Sequence, residues 1–354
     1  MKVKFSKLII SIIITTSTLL LTSCSNQSSS SQQHHANPSV ALVTDASDAN
    51  SNPYNAAAIA GLKKYAQDHN LNSGDNGYEV FTPNYSSEIY SLVDQAAQKN
   101  FHLVIGMGSS LQNAIRDNAK LYPKINFAII DGKVNNQKNV TNINFQSQQA
   151  AYLAGIVAAK TTKTNVIGFI GGTQQSSTKF KNGFIQGIQD QAKKDHKKIK
   201  ILSQNTNTFS DTNVGQNIAQ AMYLKKADII FAASGESGNG VFTAARKINE
   251  AQPINQKVWV IGVDTDQTNQ GDYYAKGGQK SNFTLTSVTN NIALAIKNIA
   301  TDSYNDKFPG NKTTTYSLKN KGVDIVQSSN ISYNVWIAVQ KARQKILNGE
   351  IKIK

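Results

Sequence analysis

Cysteine is almost absent: Cys24 is the only one in 354 residues. A single thiol excludes a disulfide framework and a cysteine-based metal site. Histidine is scarce as well, with five in the chain. His69 and His196 fall at predicted helix ends and His102 precedes a predicted strand, so none stands where it could activate a nucleophile. No pair of histidines or cysteines has metal spacing. The adjacent His34 and His35 lie in a polar stretch that reads as solvated tether. Phosphate-cradling glycine loops are also missing. "GESGNG" at 235–240 is followed by Val241 and Phe242, where a P-loop needs lysine and a hydroxyl residue. Ser237 in the same stretch misses the hydrolase elbow, because Asn239 stands at the second glycine. Acids are few, 22 against 37 lysines and arginines, for a formal charge of +15.

A basic balance raises nucleic acid as a partner. Here the lysines are dispersed or sit on amphipathic helices, as in "QAKKDHKKIK" at 191–200, so nucleic acid is not expected. An exported protein of this charge suits anionic envelope polymers or lipids instead.

Export is read from the first residues. Lys2, Lys4 and Lys7 precede the apolar run "LIISIIITTSTLLLT" at 8–22. That run is short of the roughly 20 residues that span a bilayer, and it reads as a secretion signal. "LTSCS" follows, with Leu21, Ser23 and Cys24 in the pattern of a bacterial lipobox. Lipidation would give the lone cysteine a role. Cleavage there removes three lysines and no acid, leaving +12. Residues 25–38, rich in Ser, Gln and Asn, read as a flexible tether.

The remainder alternates apolar strand patterns with helical ones. Strands are predicted at 40–44, 78–81, 103–107, 127–130 and 140–145, then at 166–170, 199–202, 229–233 and 258–263. Helical patterns lie between most of them, at 55–68, 87–99, 111–121, 148–160, 178–194, 214–226 and 240–250. Strands buried on both faces and separated by helices imply parallel sheets. The length fits about two domains, and the break is predicted near Phe145. Extra elements at 281–288, 290–304, 322–327 and 333–347 imply that the chain crosses back between lobes, making a hinge.

Ligands of open parallel sheets bind outside the carboxyl ends of the strands. The residues there are Asp45 after "VALVT", Asp131 after "FAII", "SGESGNG" after "DIIFAA" and Asp264 after "WVIGV". The loop after the first strand holds Asp45, Asp48, Asn50, Asn52, Tyr54 and Asn55, and none of the glycines of a phosphate loop. Carboxylates, amides and a few aromatics suit a neutral polyhydroxylated ligand with a flat part. Asp45, Asp131 and Asp264 would also permit glycoside hydrolysis, and acids at strand ends are ordinary helix caps.

These corners together resemble the basic membrane lipoprotein family, the nucleoside-binding substrate-binding proteins of ABC transporters of PnrA/TmpC type. The resemblance spans about residues 39–300 and rests on seven blocks in order. They are "VTDASDANSNPYNAAAIAGL", "FAIIDG" with "INFQSQQAAYLAGIVAA", "IGFIGG", "KFKNGFIQGI", "FSD", "VWVIGVDTDQ" and "LTSV". It implies an α/β type I periplasmic-binding-protein fold, with two Rossmann-like lobes of parallel sheet joined by a multi-crossing hinge. The implied lobes are 39–145 with about 285–315, and 146–284 with about 316–354, behind a signal at 1–23 and a lipidated tether at 24–38. The implied ligand is a nucleoside, purine nucleosides favoured, delivered to an ABC permease by a monomer anchored on the extracytoplasmic face of the membrane. No cofactor, metal or catalysis is implied.

The family's base-stacking aromatics correspond to Tyr54 and Phe209, its polar ligands to Asp45, Asn55 and Asp131, and its ribose-binding acid to Asp264. Gly235 belongs to the same set of corners. This chain departs from the pattern at Ser47, Asp48, Ser51, Pro53 and Ser109. Asn290 stands nearest the place of a ligand-contacting lysine, and "GDYYAKGGQKSN" is a longer loop than usual. Such changes keep open a receptor for another polar solute, such as a sugar or signalling molecule.

Overall fold

The computed structural model describes residues 37–45 and 52–353. The signal, Cys24 and the tether lie outside the described residues, as do Ser47, Asp48 and Ser51 of the first loop.

The first lobe is built from β1 (Val40–Val43), α1 (Pro53–Asp68), β2 (Tyr78–Phe81), α2 (Ile89–Gln98), β3 (Leu103–Met107), α3 (Gln112–Leu121), β4 (Asn126–Ile130) and β5 (Val140–Phe145). β1 and β3 are buried along their whole length, as near-continuous apolar strands covered on both faces should be. The second lobe follows with α4 (Ser147–Thr161), β6 (Val166–Gly171), α5 (Gln174–Lys194), β7 (Lys200–Asn205), α6 (Thr212–Leu224), β8 (Ile229–Ala233), α7 (Ser237–Glu250) and β9 (Trp259–Asp264). A small hairpin, β10 (Asp272–Tyr274) and β11 (Lys280–Asn282), precedes β12 (Thr284–Asn290). The chain then forms α8 (Ile292–Tyr304), β13 (Thr313–Tyr316), β14 (Val323–Ile325) and α9 (Tyr333–Leu347).

Two six-stranded sheets result, ordered β13-β5-β4-β3-β1-β2 and β14-β12-β9-β8-β6-β7. The chain passes between them after Phe145, after Asn290 and after Tyr316. The expected crossing at about residue 285 is therefore displaced. β12 is a full strand of the second sheet, and the chain leaves that sheet only at Asn291, which caps α8. Tyr316 likewise closes a strand of the first sheet, paired with Phe145. One strand departs from the parallel pattern, since β14 runs antiparallel to β12 at the sheet edge.

α4 carries the second lobe's core. It is buried from Ala150 to Ala159 and meets α5 backbone to backbone. A Cβ on Gly187 would come within 2.1 Å of the Tyr152 carbonyl oxygen, and one on Gly155 within 2.3 Å of the Phe184 carbonyl oxygen. Neither helix can retreat without opening the core between Phe184, Phe169 and Phe231, whose rings pack within 5.1–6.3 Å of one another. Gly187→Ala is expected to lower stability by about 1–3 kcal/mol, the usual cost of overpacking. Urea unfolding checks it, and an unchanged midpoint would contradict the close approach.

Candidate functional site

The site's first wall starts at the N-terminus of α1. Asn52 caps the helix, its side-chain oxygen accepting from the Tyr54 amide at 3.0 Å, and Pro53 fixes the first turn. The next two side chains are thereby directed at the carboxyl ends of β1 and β4. Asn55 is wholly buried, and its Nδ2 donates to Asp45 Oδ1 at 2.7 Å. The Tyr54 hydroxyl donates to Asp131 Oδ2 at 3.3 Å and lies 3.5 Å from the Ile130 carbonyl oxygen. Asp131 directly follows β4 in the left-handed region, φ +54°. Its amide still donates to the Ile143 carbonyl at 2.9 Å, so the turn begins at its own Cα.

The second wall repeats that device. Asp264 ends β9 at φ +64°. Asn290, at the end of β12, donates from Nδ2 to Asp264 Oδ1 at 3.2 Å, and its Oδ1 accepts from the Ser147 hydroxyl at 2.8 Å. Two of the three crossings between the sheets thus hold one carboxylate in place. Non-glycine residues in left-handed backbone cost energy and gather at functional sites, and here two acids do so at central strands of opposing sheets.

Phe209 lies further along the second wall, on a shelf of glycine backbone. A Cβ on Gly172 would fall 2.1 Å from Phe209 Cε1, and one on Gly235 would fall 3.3 Å from Phe209 Cδ1. Gly235 has φ +59°, which turns the chain under the ring, and the Ser237 amide donates to the Phe209 carbonyl at 3.0 Å. The ring therefore packs on the sheet's carboxyl edge, half-buried, and not on the helix that follows it.

The carboxylates from both lobes act on one another. Burial raises the Tyr54 phenol well above its usual range, and the charges of Asp131, Asp45 and Asp264 add to this. Burial raises the Asp131 carboxyl, opposed by the Lys179 charge and by hydrogen bonds from Tyr54 and the Phe145 backbone. Asp264 is pushed up to about 7 by burial and then by the charge of Asp131, against the Asn290 hydrogen bond. Asp131 and Asp264 belong to different sheets, so the two lobes meet at this point. A cavity of about 380 Å³ opens beside Asp264 and Asn290, walled by Ala57 and Ala60 of α1 and by Ile292 and Lys321 at the crossings.

The eight sequence-derived positions thus fall on two walls. Asp45, Tyr54, Asn55 and Asp131 line one wall, and Asp264 with Asn290 faces them. Phe209 and Gly235 stand together further along the second wall. Sequence reasoning missed Ser147, Lys179 and Gly172. Lys179 donates to the Phe145 carbonyl at 3.1 Å, tying α5 to the end of β5 across the lobes. Its signal was the block "KFKNGFIQGI", and that of Gly172 was the second glycine of "IGFIGG". Among the described residues no cluster of acids, histidines and cysteines could hold a metal ion. The wall offers acceptors to a ligand that brings hydroxyl or N–H donors.

The comparisons fit this geometry. The model of the family described as ABC transporter substrate-binding protein PnrA-like matches residues 38–354. The ABC transporter nucleoside-binding protein BmpA of Lactococcus lactis subsp. cremoris is 41% identical over 314 residues, covering 88% of each chain. Basic membrane protein D of Borreliella burgdorferi is 31% identical over 330 residues, covering 89% of this chain and 87% of its own. A solute-binding protein of an ABC transporter system from Aeropyrum pernix K1 superposes with a TM-score of 0.74 at 20% identity, over 89% of this chain and 92% of that one. The fold is that of the type I periplasmic binding proteins, and the hydrolase alternative falls away with a family that binds and does not catalyse. The chain belongs to the PnrA-like (Bmp) family of ABC transporter substrate-binding proteins.

Proposed function

We propose that the protein is a lipid-anchored receptor on the extracytoplasmic face of the membrane that binds nucleosides, purine nucleosides by preference, and passes them to an ABC permease. One observation carries the reading: Tyr54, beside Asp131 at the strand ends of the first sheet, and Phe209, on the Gly172 and Gly235 backbone at the strand ends of the second, are both half-buried aromatics, and the reading sets them on opposite walls of one cleft. A base offers two apolar faces, and an aromatic on each is worth about 1–3 kcal/mol. A vicinal diol pairs with a carboxylate acceptor, the role assigned to Asp264, as acids do in dinucleotide sites. Asp45 and Asn55 shape the loop around the base, and Asp131 accepts from its N–H groups. The name of the Lactococcus relative supports the ligand class.

A second reading keeps the same cleft for another polar solute. Asn290 motivates it, because this neutral amide is engaged at both ends, by Ser147 and Asp264. Mass spectrometry of small molecules released from the denatured purified protein separates the two. A nucleoside supports the first reading, and a sugar or polyol without any nucleoside supports the second.

Cys24 carries the anchor in this proposal. Among the described residues no helix is long and apolar enough to cross a membrane, and stable anchoring by lipid takes two or more chains. Cys24→Ala is expected to move the protein from the membrane fraction to the soluble one. Full retention in membranes would contradict the lipobox.

A further inference from the structure

The edge of the second sheet away from the cleft is crowded with lysines. β6, β7, β8 and β9 are parallel neighbours, so the helices that lead into them all end at this edge. α5 ends in Lys193 and Lys194, and the turn after it adds Lys197, Lys198 and Lys200, all exposed. Lys163 follows α4, Lys225 and Lys226 follow α6, and Lys247 lies in the last turn of α7. Among the described residues here, only Lys160 is ion-paired, with Asp195 at 3.4 Å. Asp228 is buried and engaged by the Thr162 hydroxyl and the amides of Lys163 and Thr164.

Cations at helix C-termini offset the macrodipole, but that does not require a bare excess. In the first lobe Lys99 bridges Asp75 and Glu79, Lys120 faces Asp117, and Lys64 and Lys297 share Asp68. The same architecture is charge-balanced there and not here.

The edge also holds a groove of about 770 Å³. Lys163, Lys226 and Lys257 line it together with Gln220 and Gln252. Two of the lysines are braced. Lys257 Nζ sits 4.6 Å over the Trp259 ring and donates to Ser281 Oγ at 2.8 Å, and Lys163 Nζ donates to the Asn255 carbonyl at 3.2 Å. Leu224 stands on the rim, 83% exposed. Cations and amides together suit a chain that carries both phosphates and hydroxyls.

We propose that this groove and its lysine rim bind a linear polyanion whose repeat alternates phosphate with polyol. The place where the described chain begins favours a polymer over a bilayer. Ser39 directly precedes β1, so the described chain enters at the strand-start edge of the first sheet. The carboxyl ends of the two sheets face each other across the cleft. The two strand-start edges are therefore opposite ends of the described lobes, and the basic one lies at the end away from Ser39.

The test uses the full chain carrying Cys24→Ala, without detergent, titrated with fluorescent poly(glycerol phosphate) and, separately, with phosphatidylglycerol vesicles. Polymer binding is expected at low salt, weakening about tenfold or more as salt rises through the screening range. Lys163→Glu with Lys226→Glu should weaken it about tenfold or more, and Lys226→Gln alone should weaken it in the same direction. Lys120→Glu with Lys124→Glu, the same charge change on the first lobe, should cost less than about threefold by the screening of distant charges. The proposal is overturned if the polymer does not bind at low salt. It is equally overturned if the two double variants lose affinity alike, or if only the vesicles bind.

Discussion

Asp264→Asn is expected to weaken ribonucleoside binding more than tenfold while stabilising the ligand-free protein at pH 8. The two effects share one cause. Asp264 ends β9 half-buried, facing the charge of Asp131 from the other lobe, and its carboxyl is pushed up to about 7. An unfolded chain releases that proton near the ordinary value of about 3.9. Between about pH 4 and pH 7 the folded state therefore holds more protons than the unfolded one, and stability falls as pH rises through that window. Below it both states are protonated and the cost vanishes. Three units would correspond to about 4 kcal/mol at 1.36 kcal/mol per unit. The residue is only half-buried, so solvent screening leaves an expected gain of about 1–2 kcal/mol for the amide. The gain should be largest at pH 8 and should fade towards pH 4. Binding moves the other way, because a charge-assisted bond to a diol is worth about 1.5–3 kcal/mol. Thermal unfolding across pH, with calorimetry at pH 8, checks both. A variant no more stable than the parent at pH 8 would contradict the facing carboxylates. Unchanged affinity would remove Asp264 from the ligand.

Tyr54→Ala and Phe209→Ala are each expected to lose about 1–3 kcal/mol of nucleoside binding. The double variant should lose no more than about the sum, since the rings stand on separate walls and share no support. Tyr54 is placed by the α1 cap and the Asp131 carboxylate, Phe209 by the backbones of Gly172 and Gly235. Gly172→Ala should therefore reproduce much of the Phe209→Ala loss without touching ligand, because its methyl would occupy the ring's seat. Titrations of these variants decide the matter. If neither ring substitution changes any binding signal, the clamp is wrong.

The sheets were legible because each core strand announces itself. "LVIGM", "FAII" and "IIFAA" are short apolar runs bounded by polar turns, and all three lie on central strands buried by covering helices. β13 was not legible. "TTTY" has one large apolar residue, and its strand exists only because the returning chain lies beside β5. The start of α5 at Gln174 was hidden as well, since its first turn is polar and its signal is the Thr173 cap, whose hydroxyl accepts from the Ser176 amide. The long loop at 271–282 carries no apolar alternation, yet it folds as a hairpin that buries Tyr273 against Phe283. The site divides along the same line. Acids that end strands could be read off directly, whereas Ser147 meets Asn290 across 143 residues of sequence and Lys179 reaches Phe145 from the other lobe, contacts that only the crossings create.

Calorimetric titration of the full chain with inosine, guanosine, the corresponding free bases and ribose tests the central claim most directly. The account predicts saturable binding of both nucleosides, at least tenfold tighter than either base or ribose alone, because the aromatic walls and Asp264 hold different parts of one ligand. Binding of ribose or another polyol with no response to any nucleoside would contradict it.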